Sequence, residues 1–565
     1  MTPLATKLQD HLQRIYPGGD NSVLAKALMS AMAPAEPKEA PSELWDQQDA
    51  VLISYGDNLV ANDEMPLTTL KHFIDERLSG QFSMLHLLPY FPYSSDDGFA
   101  VVDYLEVNPK LGDWSHVEDL GHRLELVTDL VINHASSRSL WFEQFIEDKE
   151  PGRHYFVTAN LDDDLSAVVR PRTSELLKPV RTARGDEWVW CTFSHDQVDL
   201  NFQQPQLLLE MVRILRHYLD HGSRMIRLDA IAFLWKSPGT DCLNLPQTHE
   251  VVRLLRTLVD AYAPGSLLLT ETNIPNRDNL SYFGNGNEAH LIYNFALPPL
   301  LLQALISGSA AHLKRWQMAM PPAPQGCSYL NFIASHDGIG LRPVESILSE
   351  QETQQLIEHV QAVGGRISWR NVDGQAAKAY ELNVSLFDAC HHPEFQLQRF
   401  LCIHAIMLSL EGIPAIYIHS LLGTSNDLDK VANTGSHRSI NRHNWSWDDL
   451  QHRLNTPDSQ HHQCFEGLSR LLKYRAQQEA FHPNATQFTL QLPEPLFGLW
   501  RQSQDRRQSI FAIANLSDRP QPLPLSSLNL IDTHPWRDLI SEKELRDPLA
   551  SLTLAPYQVV WLSNT

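Results

Sequence analysis

"GSRMIRLDAIAF", residues 222–233, reads as a short buried strand in which Arg227 and Asp229 stand two positions apart among aliphatic neighbours. Alternate residues of a strand share a face, so both charges point the same way. Burying either one unpaired is costly, and the pair therefore needs a structural or a chemical reason. Seven other runs have the same grain as "RMIRLDA" (224–230): "VLISYGD" (51–57), "SMLHLLPYFP" (83–92), "LELVTDLVINH" (124–134), "SLLLTET" (266–272), "HLIYNFALP" (290–298), "YLNFIASHD" (329–337) and "IPAIYIHS" (413–420). Each is apolar and β-prone, and most close on polar or acidic residues. Helix-like stretches lie between them, such as "PQLLLEMVRILRHYLDHG" (205–222), with apolar positions at helical spacing and a terminal glycine. Continuous apolar strands alternating with helices predict an α/β fold with a parallel sheet covered on both faces. Eight such units predict a (β/α)8 TIM barrel.

Two intervals are too long for simple crossovers. The interval between the third and fourth runs, about ninety residues, is expected to fold as a unit of its own, because structureless loops of that size are rare. A second excursion spans 342–392. From residue 480 the pattern changes to alternation, as in "FTLQLPEPLFGLWRQS" and "SLTLAPYQVVWLS", which predicts a small antiparallel β-domain. The expected organisation is a helical N-terminal extension (1–45), a barrel (46–134 and 206–479), an inserted subdomain (135–205) and the C-terminal β-domain (480–565).

Composition excludes several functions. With 565 residues, 43% of them hydrophobic, the chain can bury a large core. A net charge of −22 opposes binding to nucleic acid or anionic membranes. No long apolar run and no signal-peptide pattern at the N-terminus predict a cytoplasmic protein without a membrane partner. Six scattered cysteines without a CxxC spacing predict reduced thiols, and no histidine or cysteine spacing predicts a metal site.

In a barrel of this kind, loops at the C-terminal strand ends converge on one mouth. Here those ends carry Asp129 with His134, Arg227 with Asp229, Glu271, and His336 with Asp337. A single carboxylate at a strand end is more often a helix cap or turn residue than a catalyst. Three carboxylates on strands four, five and seven would share one pocket, which suits glycosyl transfer: one attacks, one serves as acid then base, and the transition state has oxocarbenium character. Arg227 would keep Asp229 ionised, and Glu271 would need apolar surroundings that keep it protonated.

"DLVINH" (129–134), "IRLDA" (226–230), "TETN" (270–273) and "ASHDG" (334–338) resemble, in order and spacing, the four motifs of the α-amylase clan, glycoside hydrolase family 13. The resemblance implies Asp229 as nucleophile, Glu271 as acid/base and Asp337 as transition-state stabiliser, with retention at the anomeric carbon. "SSDDGFAVVDY", "RPRT", "FALPPLLLQAL", "HDGIGL", "YELN" and "INRHN" resemble the sucrose-phosphorylase branch. That branch implies Asp96 and Arg442 gripping a single glucosyl unit, Phe99 as an apolar wall, His134 at the hydroxymethyl, His336 as a further donor, and Arg172 on inorganic phosphate, which is a substrate; no cofactor is implied.

The acceptor side departs from sucrose phosphorylases: Phe233 stands where tyrosine is usual, and Lys378, before Tyr380, where aspartate is. This pattern disfavours fructose, suits an anionic acceptor, and looks closest to members of the branch acting on glucosylglycerate. Lys378, Arg342 and Arg438 are the candidates for the acceptor carboxylate. Phosphorylases of glucosylglycerol, sucrose or sucrose 6'-phosphate, a hydrolase or transglucosidase of the same clan, and a catalytically silent sugar-binding barrel are the alternatives. The partners expected are a small glucoside and phosphate, with the chain a monomer or homodimer.

Overall fold

All eight runs contribute strands to one closed parallel barrel in the computed structural model, which describes residues 2–36, 39–370, 377–528, 536–545, 547 and 550–564. In chain order the strands are β1 (Val51–Ser54), β2 (Met84–Leu87), β3 (Glu125–Val131), β4 (Ser223–Asp229), β5 (Leu267–Thr270), β6 (Leu291–Tyr293), β7 (Ser328–Asn331) and β8 (Ile413–Tyr417). Each pairs with its sequence neighbours, and closure comes at Val51, opposite Ala415 of β8 on one side and Met84 of β2 on the other. The expected (β/α)8 architecture is borne out. Strand side chains are buried on both sides, between barrel interior and helical layer, which is why the runs are continuously apolar rather than alternating.

The helix Pro205–Asp220 shows how the outer layer follows from sequence. Proline opens it at a position whose N–H would be unpaired anyway, Leu208, Met211, Val212 and Leu215 are buried, and Gly222 turns the chain into β4 with φ +90°. Seven of the eight strands are shorter than the runs suggest, and in two of them the difference moves a site residue off the strand. β3 ends at Val131, and His134 lies on a separate antiparallel ribbon, His134–Ser136 with Gln197–Asp199. β7 ends at Asn331, whose side-chain amide donates to the Glu411 carbonyl (2.8 Å), so Asp337 is delivered by the loop beyond the strand.

The interval after β3 also carries a three-stranded antiparallel sheet, with Gly185–Trp190 between Thr158–Ala159 and Leu177–Thr182. The excursion after β7 forms the helix Glu350–Ala362 and a sheet in which Lys378–Asn383 lies between Ile339–Gly340 and Arg366–Arg370. Near the C-terminus a six-stranded antiparallel sheet runs from Thr486 to Ser563 and buries Trp561 completely. At the N-terminus the helices Pro3–Ile15 and Ser22–Met32 pack on Pro246–Tyr262 and Pro205–Asp220, the helices flanking β4. All six cysteines are buried free thiols. No helix among the described residues is long and apolar enough to cross a membrane.

Candidate active site

Strand register assembles the carboxylates. Arg227 of β4 lies directly opposite Asp129 of β3, and its Nη1 donates to both Asp129 and Asp229, the latter at 2.8 Å. His86 of β2 holds the other oxygen of Asp129 at 2.7 Å. Burial alone would raise Asp129, but Arg227 and His86 outweigh it and pull its pKa down to about 2. The N–H of Glu271 donates to the Leu228 carbonyl (3.1 Å), extending the β4–β5 register by one residue and bringing Glu271 beside Asp229. Ala230 then leaves the strand in a left-handed conformation, φ +51°, that aims its N–H at Glu271 Oε2 (3.0 Å). The backbone turn that ends the strand therefore ties the two carboxylates together.

Arg227 does not keep Asp229 ionised by itself. Burial, with Glu271, Asp129 and Asp337 adding repulsion, pushes Asp229 well above the ordinary range against the arginine's pull. Glu271 is raised too, first by burial and then by Asp337. Asp337 is the exception: burial would raise it, but the guanidiniums of Arg438 and Arg442 hold it below the usual value. Asp229 and Glu271 thus compete for one proton. Hydrogen bonding decides its place, because Asp229 accepts from a guanidinium whereas Glu271, among the described residues, accepts only from a backbone N–H.

The loop after β2 builds one wall. Asp96, Asp97 and Gly98 take consecutive positive φ values of 53°, 46° and 113°, and a Cβ on Gly98 would lie 2.7 Å from the Pro89 carbonyl. This bend presents Phe99, whose ring stacks on His336 (4.9 Å, 4°) and whose carbonyl accepts from His134 Nε2 (2.9 Å) and Gln197 (3.2 Å). Burial lowers the pKa of both imidazoles, so both are neutral. Nδ1 of His336 is buried with no partner among the described residues. Arg442 donates to the His336 carbonyl (2.8 Å) and pairs with Asp97 at 2.8 Å, standing 3.6 Å from both Asp96 and Asp337. Sequence reasoning matched Arg442 with Asp96 and passed over Asp97, its nearer partner.

Behind this wall the ammonium of Lys236 is buried against Asp199 (2.5 Å), Asn133 (2.7 Å) and the Phe233 carbonyl. It joins the end of β3, the ribbon that carries His134, and the turn after β4. Nothing in the sequence singled out Lys236, Asp199 or Gln197, none of which belongs to a motif named above.

Opposite the glucosyl wall, Phe233 packs edge-on against Phe193 (5.4 Å), and Arg172 lies between the rings of Phe193 (5.7 Å) and Tyr380 (5.6 Å). Its Nη1 donates to the Pro171 carbonyl (3.2 Å), and no described carboxylate pairs with it. Arg438 is engaged differently: Nε and Nη2 grip Glu381 at 3.1 and 2.5 Å, and Nη1 lies 2.6 Å from Asp337. Two expected residues are not brought into the pocket. Lys378 is exposed at the outer end of its strand, and Arg342 is buried in a layer that does not line the cavity. The strand carrying Lys378 has a register shift opposite Ser368–Trp369, where Ser368 faces Glu381 and Trp369 faces Ala379, leaving Tyr380 as the bulged residue. Consecutive Tyr380 and Glu381 thereby line one cavity, whereas Lys378, the first residue of the strand, stays outside it.

The result is a pocket lined by Asp229, Glu271 and Asp337 between a sugar-sized wall and an open guanidinium. Such a site can carry out a double displacement at an anomeric carbon. Residues 81–355 match the family model described as alpha amylase, catalytic domain. The chain is 41% identical over 531 residues to the glucosylglycerate phosphorylase of Spirochaeta thermophila, covering 92% of this chain and 90% of that one. It is 37% identical to the glucosylglycerate phosphorylase of Escherichia coli, covering 98% and 99%. Among solved structures it superposes on the sucrose 6F-phosphate phosphorylase of Thermoanaerobacter thermosaccharolyticum with a TM-score of 0.73 at 24% identity, covering 83% and 94%, a likeness of fold.

Proposed function

The chain belongs to the glycoside hydrolase family 13 phosphorylases, in the group that includes its glucosylglycerate phosphorylase relatives, and on that premise we propose that it catalyses the reversible phosphorolysis of 2-O-α-D-glucosyl-D-glycerate to α-D-glucose 1-phosphate and D-glycerate. Asp229 attacks the anomeric carbon while Glu271 gives its proton to the departing glycerate oxygen, leaving a β-glucosyl-enzyme. Phosphate then enters from the vacated side, Glu271 takes its proton back from the phosphate, and a phosphate oxygen displaces Asp229. Two inversions give net retention. Asp337, Arg442, Asp96 and Asp97 hold sugar hydroxyls, Phe99 and His336 wall the ring, and His134 stands at its hydroxymethyl. The reaction needs no cofactor, and a cytoplasmic setting goes with it, since the attacking group is drawn from the cell's phosphate.

One observation carries phosphate rather than water as the attacking group. Arg172 lines the pocket with its guanidinium over the rings of Phe193 and Tyr380 and with no described carboxylate to neutralise it. A guanidinium in that state suits an anion's paired oxygens.

The test is to incubate the protein with α-D-glucose 1-phosphate and, separately, D-glycerate, glycerol, fructose and fructose 6-phosphate, and to measure phosphate release. Release that depends on glycerate is expected; its absence rejects the acceptor. Arg172→Ala should raise the KM for phosphate at least about tenfold, the loss of one charge-assisted bidentate contact, while hydrolysis of the glucosyl-enzyme changes little. Equal losses in both reactions would argue for a hydrolase with a merely structural arginine.

A further inference from the structure

The proposed reaction brings an anion into the pocket in each direction, yet the lining already holds Asp96, Asp229, Glu271, Asp337 and Glu381. Against these stand two guanidiniums, Arg172 and Arg438. They are not equivalent. Each NH-bearing edge of Arg438 meets a carboxylate, with Nε and Nη2 on the two oxygens of Glu381 and Nη1 at Asp337. Glu381 cannot readily release its share. It is 2% exposed, its strand is the middle one of three, and its backbone faces Gly340 on one side and Ser368 on the other. The bulge at Tyr380 is what points it inward.

We propose that Glu381 sets the anion capacity of the site: by occupying the fork of Arg438 it withdraws that cation, leaving Arg172 as the single guanidinium at which phosphate and the acceptor's carboxylate are held in turn. The proposal rests on the phosphorylase reading. On that reading glycerate departs from, and phosphate arrives at, the same side of the glucosyl-enzyme. With one open cation, the departing anion must leave before the next can be held. A second open cation would retain the first anion and slow the exchange. Glu381 is thus a positioning residue that acts through Arg438 rather than on the reacting atoms.

Glu381→Gln keeps the shape and removes the charge. Freeing a guanidinium that lines the same pocket as Arg172 is expected to lower the KM for phosphate, and in synthesis the KM for glycerate, on the order of tenfold. The KM for glycerol, a neutral acceptor, should stay put, and kcat should fall as anion release slows. Glu381→Asp, which keeps the charge, should hold a phosphate KM near that of the unaltered protein. An unchanged or raised phosphate KM in Glu381→Gln overturns the proposal, as do equal shifts in the Gln and Asp variants.

If Glu381→Gln does not fold, Arg438→Gln and the double variant decide the matter. Arg438→Gln, with Glu381 unpaired, should raise the phosphate KM. Glu381→Gln/Arg438→Gln, which removes a neutral pair, should bring it back to within about twofold, and a double variant no better than Arg438→Gln overturns the proposal. A protein that phosphorolyses sucrose but ignores glycerate would reject the acceptor, with the phosphate KM still deciding the role of Glu381.

Discussion

Glu271 is held in a state that costs the folded chain stability. Its pKa is raised above the ordinary 4.5, chiefly by burial and then by Asp337, so its charged form is worse off in the pocket than in the unfolded chain. The penalty is absent below the unfolded pKa and grows as pH rises toward the folded one. Glu271→Gln should therefore melt higher at pH 7, by about 1–3 °C, and lose that advantage near pH 4, which thermal scans at the two pH values would check. The same variant should lose at least ~10²-fold in glucosyl transfer from substrates that need leaving-group protonation. In the unaltered protein, transfer should persist above the normal carboxyl range and fall as pH rises through the raised Glu271 value. Asp129 behaves in the opposite sense. Its pKa is drawn down to about 2, so it stabilises the fold above 3.8 and that stability is lost as pH falls toward 2. Asp129→Asn leaves Arg227 buried with Asp229 alone and should cost about 3–5 kcal/mol by denaturant titration. A cost below ~1 kcal/mol would mean that solvent or Asp229 takes over the arginine.

At the scale of elements, the pocket is held by connections that a strand pattern does not record. Lys236 fastens the ribbon bearing His134 to the turn after β4 through Asp199, Asn133 and the Phe233 carbonyl. Lys236→Met removes the cation and leaves Asp199, fully buried, with its hydroxyl and amide donors only. It should cost about 3–5 kcal/mol and raise the KM for the glucoside, since His134 and Gln197 on the ribbon lose their register; circular-dichroism melts and initial rates would check both, and an unchanged KM would show that the ribbon stands without the lysine. The barrel itself was legible because a strand covered on both faces must be apolar throughout, so an Arg or Asp within it is conspicuous. That is how Arg227, Asp229 and Glu271 could be found. The bulge at Tyr380, which lets Glu381 line the cavity beside it, was not legible, because one extra residue in a strand has no compositional mark; Lys378 was assigned to the pocket from its place before Tyr380 in the branch's pattern, and it lies exposed at the outer end of its strand. Asp97 and Asp337 sit on loops, where position depends on φ values and on neighbours far along the chain. Gly98 offers a direct check on that loop. With φ +113° and the Pro89 carbonyl 2.7 Å from any Cβ, Gly98→Ala should displace Asp96 and Asp97 and weaken glucoside binding with little loss of melting temperature.

For the whole molecule, the question is whether the N-terminal helices are an appendage or part of the folding unit. Their sequence, proline-punctuated and amphipathic, gave no purpose. In the structure Leu8, Leu12, Ile15, Ala25, Leu28 and Met32 are buried on the helices flanking β4. Polar ties accompany them. His11 lies 2.6 Å from Glu250 and 3.1 Å from Thr257, and Glu250 also binds Arg14 at 3.0 Å and Arg253 at 2.9 Å. Tyr16 donates to the Phe202 carbonyl (2.9 Å) and packs on Trp235, the neighbour of Lys236. Removing residues 2–36 would uncover that apolar surface on the outer helices and leave Glu250 short of two donors, so the truncated chain should be recovered mainly in the insoluble fraction. Leu12→Ala tests the same contact without exposing it wholesale. A leucine this buried costs about 2–5 kcal/mol when truncated, and at this length each kcal/mol moves the melting temperature by roughly 1 °C, so a fall of about 2–5 °C is expected. Because none of these side chains lines the pocket, the KM for α-D-glucose 1-phosphate should stay within about twofold in the folded variant, as expected for a distant, independent site. A truncated chain that remains soluble and melts at the original temperature would show that the barrel folds without its N-terminal helices, and that the ties from His11 and Tyr16 contribute nothing to holding β4 in place.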